Sequence, residues 1–330
     1  MNRLKWMDIA KGIGIILVVL GHSIPQIAIY IYWFHMPLFF FLSGYLHKQK
    51  GDFVSKKVAS LLVPYVVYLL TLTLVRYLHY GVPSVKRIQL DMERFIFGGQ
   101  ELGGFYTVFW YITCLLFTSI LFYVLLNFIK KESILLLTII FSYIVSYYFS
   151  LYFGNIPTPW SIGVVPFALT FYYIGYKFNK IINIINNTYI FLVSISFSVA
   201  FLILNNLGVI HYKMNMKSQL FNHLGLDIVI PLTFILLTIS CSIFISKIKY
   251  LQNIFSYLGN ASLTIMYMHS FILILLPIYF KLPLGVNIMV SILVPLIWDS
   301  LLRNSNLINL LFNGRIYKRD TTSEELKNVA

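Results

Sequence analysis

Long apolar runs separated by short polar connectors fill the chain from residue 10 to residue 302. A helix rises about 1.5 Å per residue and needs roughly 20 apolar residues to cross a hydrocarbon core about 30 Å thick. Ten runs approach that length, at about 10–29, 31–47, 58–80, 105–129, 133–153, 160–178, 188–208, 225–246, 256–280 and 283–302. Lipid offers the backbone no hydrogen-bond partners, so only helices or a closed barrel can span it. These runs are too long and too continuously apolar for barrel strands. The pattern therefore predicts an all-α integral membrane protein, a bundle of about ten transmembrane helices. Residues 1–303 form the membrane domain, and 304–330 are expected to be a polar, partly disordered cytoplasmic tail.

Composition sharpens this. The chain is 59% hydrophobic and 11% charged, with mean hydropathy +0.80, against about 25% charged residues in ordinary soluble domains. The formal charge of +14 raises nucleic acid as a partner, but the basic residues lie in small groups between apolar runs and form no single patch. Nucleic acid is therefore not expected. With the N-terminus inside, the outer side keeps Arg76, Lys86, Arg87, Arg94, Lys213, Lys217 and Lys281, and all other Lys and Arg fall inside. The positive-inside rule then places both termini in the cytoplasm. Two outer connectors are long, at about 81–104 and 209–224. Cys114 and Cys241 sit inside apolar runs without metal-ligand spacing and read as small buried hydrophobes. The first run contains His22 and lacks a small-x-small cleavage site, unlike a removable signal peptide.

Ionisable groups at membrane depth are costly to keep and are functional candidates by default. His22 closes Lys11-Gly12-Ile13-Gly14-Ile15-Ile16-Leu17-Val18-Val19-Leu20-Gly21-His22, and His35 opens the next run. If Lys11 marks one surface, His22 lies roughly 16 Å below it, near the middle of the membrane. The two histidines sit on consecutive helices of opposite direction and can line one cavity in the outer half. A neutral imidazole near pH 7 can take a proton from a hydroxyl; the alternative is a hydrogen bond gluing two helices. His269 is a third intramembrane histidine. The three share no local spacing and no acidic or cysteine companion, so no metal is expected.

Lys11, Lys56 and Lys57 stand at the inner ends of the first and third runs. Ammonium groups there suit a phosphorylated cytoplasmic donor, although anchoring to anionic lipid accounts for many such lysines, and Lys11 can pair with Asp8 one turn back. Trp110 and Tyr111 open the fourth run, where aromatic residues commonly form an interfacial belt. Glu101 and the Arg76/His79 pair are further outer-side candidates.

These residues resemble the acyltransferase-3 family of integral-membrane acyltransferases, which includes sugar O-acetyltransferases. The resemblance begins at Asp8-Ile9-Ala10-Lys11-Gly12 and includes a basic residue, a ten-residue gap and His22. It continues through Phe34-His35-Met36-Pro37-Leu38-Phe39-Phe40-Phe41-Leu42-Ser43-Gly44-Tyr45, Lys56-Lys57 with Pro64, Trp110-Tyr111, and Ser262-Leu263-Thr264-Ile265-Met266-Tyr267-Met268-His269. Lysines stand where the family commonly has arginine, which keeps charge neutralisation but removes bidentate phosphate recognition.

The resemblance implies acyl-CoA, acetyl-CoA first, as a cytoplasmic donor and a carbohydrate or lipid-linked glycan hydroxyl as acceptor, at a bacterial plasma membrane. Lys11, Lys56 and Lys57 would hold the coenzyme A phosphates. His22 would act as base or transient nucleophile, with His35 orienting it or the acceptor. Trp110, Tyr111, Glu101 and His269 would line the acceptor site. A polysaccharide or lipid-linked sugar exporter and a non-catalytic synthase subunit are the alternatives, and a homo-oligomer is an open possibility.

Overall fold

A computed structural model describes residues 4–182, 187–221 and 223–314. Helices α1 (Lys5–Ser23), α2 (Pro25–Ile31), α3 (His35–Tyr45) and α4 (Phe53–Tyr80) lead to the outer helix α5 (Val85–Phe97). Then follow α6 (Trp110–Phe128), α7 (Glu132–Phe153), α8 (Val165–Ile181), α9 (Asn187–Asn206) and α10 (Leu226–Ile245). Helices α11 (Lys249–Asn260), α12 (Ser262–Tyr279), α13 (Leu284–Leu302) and α14 (Asn306–Asn313) complete the described chain. The fold is an all-α membrane bundle; among the described residues the nearest thing to a strand is one isolated bridge between Asn215 and Leu220.

Nine segments among the described residues are long and apolar enough to cross a membrane, with α2 and α3 counted as one. The sixth expected span, 160–178, is α8, whose 17 residues are extended at their start by the 3-10 turn Pro159–Val164. It runs from the end of the bundle where the Thr158 amide donates to Gln100 to the end where Lys177 pairs with Glu132. Gly314 abuts Ser60 at the start of α4. The chain thus returns to the end from which it set out, as an even number of passages requires.

Several expected boundaries move. The first turn lies at Ile24, not near residue 30: Ile24 is extended (φ −126°, ψ 94°) and precedes Pro25, whose ring disfavours helix at the residue before it. The first two spans are therefore 5–23 and 25–45. Lys11 lies well inside α1, and His22 is in its last turn, near the outer end of the helix rather than midway. The ninth run, 256–280, is divided at Ala261 into α11 and α12. The outer connector 81–104 contains α5, whose N-cap Ser84 accepts from the Arg87 amide. In the tail, α14 packs on α4 with Asn309 and Asn313 buried; the remainder, 315–330, lies outside the described residues.

Backbone-to-backbone contact fixes the inner half of the bundle. A Cβ at Gly12 would stand 2.2 Å from the Phe255 carbonyl oxygen, and one at Gly259 would stand 1.8 Å from that of Asp8, so α1 and α11 touch directly. Gly44 meets the Tyr172 carbonyl and Gly175 meets that of Phe41 in the same way, joining α3 to α8. Small residues permit such approach where helices have no hydrophobic drive to associate.

Candidate functional site

Two cavities lie in line inside the bundle. The inner one, about 260 Å³, is lined by Lys11, Lys57, His47, Ser43, Asn313 and aromatic neighbours. Helix α1 carries Lys11 there because Gly12 is pressed on α11, which turns the lysine toward the cavity mouth. Lys11 pairs with Asp8 at 4.0 Å, as its spacing allows. Lys57 Nζ lies 5.8 Å from the centroid of the Phe53 ring. Lys56, one residue earlier and so about 100° around the helix, turns away. It pairs with Asp52, keeps a side chain 70% exposed, and lines a surface groove with Lys48 and Lys50 that Lys57 also borders, but it does not line the inner cavity.

The outer cavity is a chamber of about 190 Å³ lined by His22, Tyr32, His35, Thr107, Trp110, Tyr111 and Lys217, among others. Because α1 ends at Ser23, His22 keeps an accessible side chain at its outer tip. His35 is buried, with Nδ1 2.8 Å from the Ile31 carbonyl; the carbonyl only accepts, so Nδ1 carries the proton and Nε2 keeps its lone pair. His269 does the same with Ile265 at 2.8 Å, and its ring centroid lies 5.3 Å from that of His22. His269 Nε2 is buried without a partner among the described residues. Tyr32 stands between the two outer histidines, its ring 6.2 Å from His22 and 5.2 Å from His35, its hydroxyl donating to the Gly21 carbonyl.

Tyr111 and Met266 line both cavities. Trp110 and Tyr111 are buried, so they are walls of the site and not an interfacial belt. Glu101 is not in the chamber: it lines an outer groove of about 710 Å³ with Arg76, Arg87, Arg94 and aromatic rings. Arg76 and His79 do not act together. Arg76 is ion-paired with Asp91 of α5, while His79 is bonded to the Tyr279 hydroxyl. Among the described residues no group of three His, Cys, Asp or Glu side chains has the arrangement of a metal site.

A family model for an acyltransferase domain, acyltransferase-3, matches residues 4–302. The chain belongs to the acyltransferase-3 family. Its long apolar helices make it a multi-pass membrane protein. Nodulation protein NolL of Sinorhizobium fredii (strain NBRC 101917 / NGR234) is 35% identical over 132 residues, which covers 33% of this chain and 34% of NolL. The chain therefore spans about a third of the length of the curated relative it matches. No solved structure matches it significantly.

In this family member the most important chamber residue not singled out as a candidate from sequence is Lys217. The connector residues 209–221 fold inward as a plug, with Tyr212, Met214, Met216 and Phe221 buried. That alternation of apolar residues was the available signal. The plug is tied down by Gln100, whose amide donates to the Lys217 carbonyl, and by Gln219, whose amide donates to the Ile156 carbonyl. His47, at the end of the second span, was also passed over; it bonds the Tyr172 hydroxyl at 2.9 Å and Gln49 at 3.0 Å.

Proposed function

We propose that this acyltransferase moves an acyl group, acetyl in the first instance, from cytoplasmic acyl-CoA to a hydroxyl of a cell-envelope glycan or lipid-linked sugar in the bacterial plasma membrane. The observation that carries this reading is the shared wall of the two cavities at Tyr111 and Met266. A basic cavity opens on the inner end, a histidine chamber lies beneath the outer connectors, and the two meet inside the bundle.

In this reading Lys11 and Lys57 neutralise coenzyme A phosphates, with Lys56 contributing only at the rim. The pantetheine arm passes between Tyr111 and Met266 and presents the thioester to His22. His22 takes the proton of the acceptor hydroxyl while its oxygen bonds to the thioester carbon. The carbon–sulfur bond then breaks, and the departing coenzyme A sulfur receives the proton. His35 and His269, each held in one tautomer by a backbone carbonyl, offer acceptor nitrogens that orient the hydroxyl and the His22 ring.

The test is coenzyme A release from acetyl-CoA by the purified protein, with mass spectrometry of the surface glycan in cells with and without the gene. We expect His22-dependent release and one added acyl mass per modified sugar. Release that survives His22→Ala at near-normal rate, or a glycan of unchanged mass, would sink the reading.

A further inference from the structure

Lys217 comes from the outer connector, yet its ammonium is inserted into the chamber wall. Its Nζ donates to the Leu102 carbonyl at 2.9 Å and to Thr107 Oγ1 at 2.7 Å. An ammonium has three donors, so one N–H remains, and Lys217 lines the chamber with His22. Thr107 lines it too, and because its oxygen accepts from Lys217, its own O–H is left to donate. Among the described residues no carboxylate forms an ion pair with Lys217. A partly buried cation without a counter-charge is costly. A strut between two loops needs no charge, as the neutral amides of Gln100 and Gln219 show a few residues away.

We propose that Lys217 Nζ and Thr107 Oγ1 form an anion site that receives the thioester carbonyl oxygen as it becomes an oxyanion. This rests on the acyl-transfer reading above. As the acceptor oxygen bonds to the carbonyl carbon, the carbonyl π electrons move onto oxygen, and the two donors stabilise that charge. When the carbon–sulfur bond breaks, the electrons return to re-form the carbonyl and the anion leaves the site. Such donors are already in place before the charge develops, which is why they speed the chemical step.

The site also predicts a pH signature. Burial brings the Lys217 ammonium from the usual lysine range down to about 8. The cation is present below that pH and lost above it, so turnover falls on the alkaline side. The titratable groups facing Lys217 are His22 on α1, Tyr32 after α2, His35 on α3 and Tyr111 on α6, with His269 on α12 behind His22. All of them stay in place when residue 217 or 107 is changed, and an arginine there would keep its charge throughout the range.

The experiment measures coenzyme A release from acetyl-CoA with water and with purified surface glycan as acceptor, for wild type, His22→Ala, Lys217→Gln, Lys217→Arg and Thr107→Val. Lys217→Gln should lower kcat by about 10²- to 10³-fold and leave KM for acetyl-CoA within about twofold. Thr107→Val should lower kcat by about tenfold, and Lys217→Arg should raise the alkaline limb by at least about one pH unit. If Lys217→Gln elutes as aggregate, the Arg and Val variants decide by the same readouts. Full kcat in the Gln or Val variant, or an alkaline limb unmoved in Lys217→Arg, overturns the proposal. So does a loss confined to glycan acceptors and absent with water, which would make Lys217 a clamp for an acceptor carboxylate. Wild-type release that is absent or independent of His22 overturns the acyl-transfer reading itself, and this inference with it.

Discussion

Tyr111 on α6 and Met266 on α12 face the same two cavities, and they are the residues whose side chains line both. In the transfer proposed above, the acyl-bearing arm passes between them. The boundary is made of one rigid aromatic ring and one flexible thioether.

Met266 should therefore set the length of acyl group that reaches His22. Met266→Ala is expected to raise the ratio of propionyl-CoA to acetyl-CoA turnover by about tenfold, since one methylene admitted to a pocket changes discrimination by about 10- to 200-fold. Coenzyme A release with the two donors reads this directly. An unchanged ratio in a folded variant would show that the acyl chain is limited elsewhere.

Adjacent lysines should behave differently. Lys57 lines the inner cavity and Lys56 pairs with Asp52 outside it. Lys57→Ala is expected to raise KM for acetyl-CoA by about tenfold, whereas Lys56→Ala stays within about twofold, as exposed ion pairs contribute about 0–1 kcal/mol. Equal effects from the two variants would remove Lys57 from its assigned place.

The contact between α1 and α11 has no room for a methyl group. At Gly259 it would overlap the Asp8 carbonyl oxygen at 1.8 Å. Gly259→Ala should cost at least about 1–3 kcal/mol, the usual range for overpacking, and lower the melting temperature in detergent. Gly285→Ala, whose Cβ meets nothing within 4 Å, is the matched control.

Arg76 and Asp91 fasten α5 to the outer end of α4, with Tyr77 also donating to Asp91. Removing Arg76 leaves Asp91 only Tyr77 and the half-exposed Arg87, 3.6 Å away, so the cost should stay below the about 3–5 kcal/mol of a fully stranded buried charge. Arg76→Met should therefore expose the segment 82–98 to limited proteolysis from the outer side. A cleavage pattern identical to wild type would mean that α5 is held by its apolar contacts alone.

Much of this was visible before any coordinates. Apolar run length marked the passages, and the pairing of Lys11 with His22 on one helix placed a cation and an imidazole about three turns apart. Other features depended on neighbours distant in sequence. Which of Lys56 and Lys57 turns inward follows from the face α4 offers to α6 and α14. The break at Ala261 follows Gly259-Asn260, a stop signal that the apolar residues on either side outweigh, so hydropathy reads straight through it. Lys217 reaches the chamber because Gln100, Thr158 and Gln219 bind three connectors together, and such long-range hydrogen bonds leave no local pattern. The turn at Ile24, by contrast, was written in Pro25 and was outweighed by the apolar residues around it.

The glycine contacts described above divide the molecule by how freely it can change over generations. Where α1 meets α11 and α3 meets α8, backbone touches backbone, and even the smallest added side chain collides. The outer plug is fastened by side-chain amides and hydroxyls that many sequences could supply. Lineages descended from such a chain can therefore rewrite the outer connectors while inheriting the glycine-packed inner half unaltered.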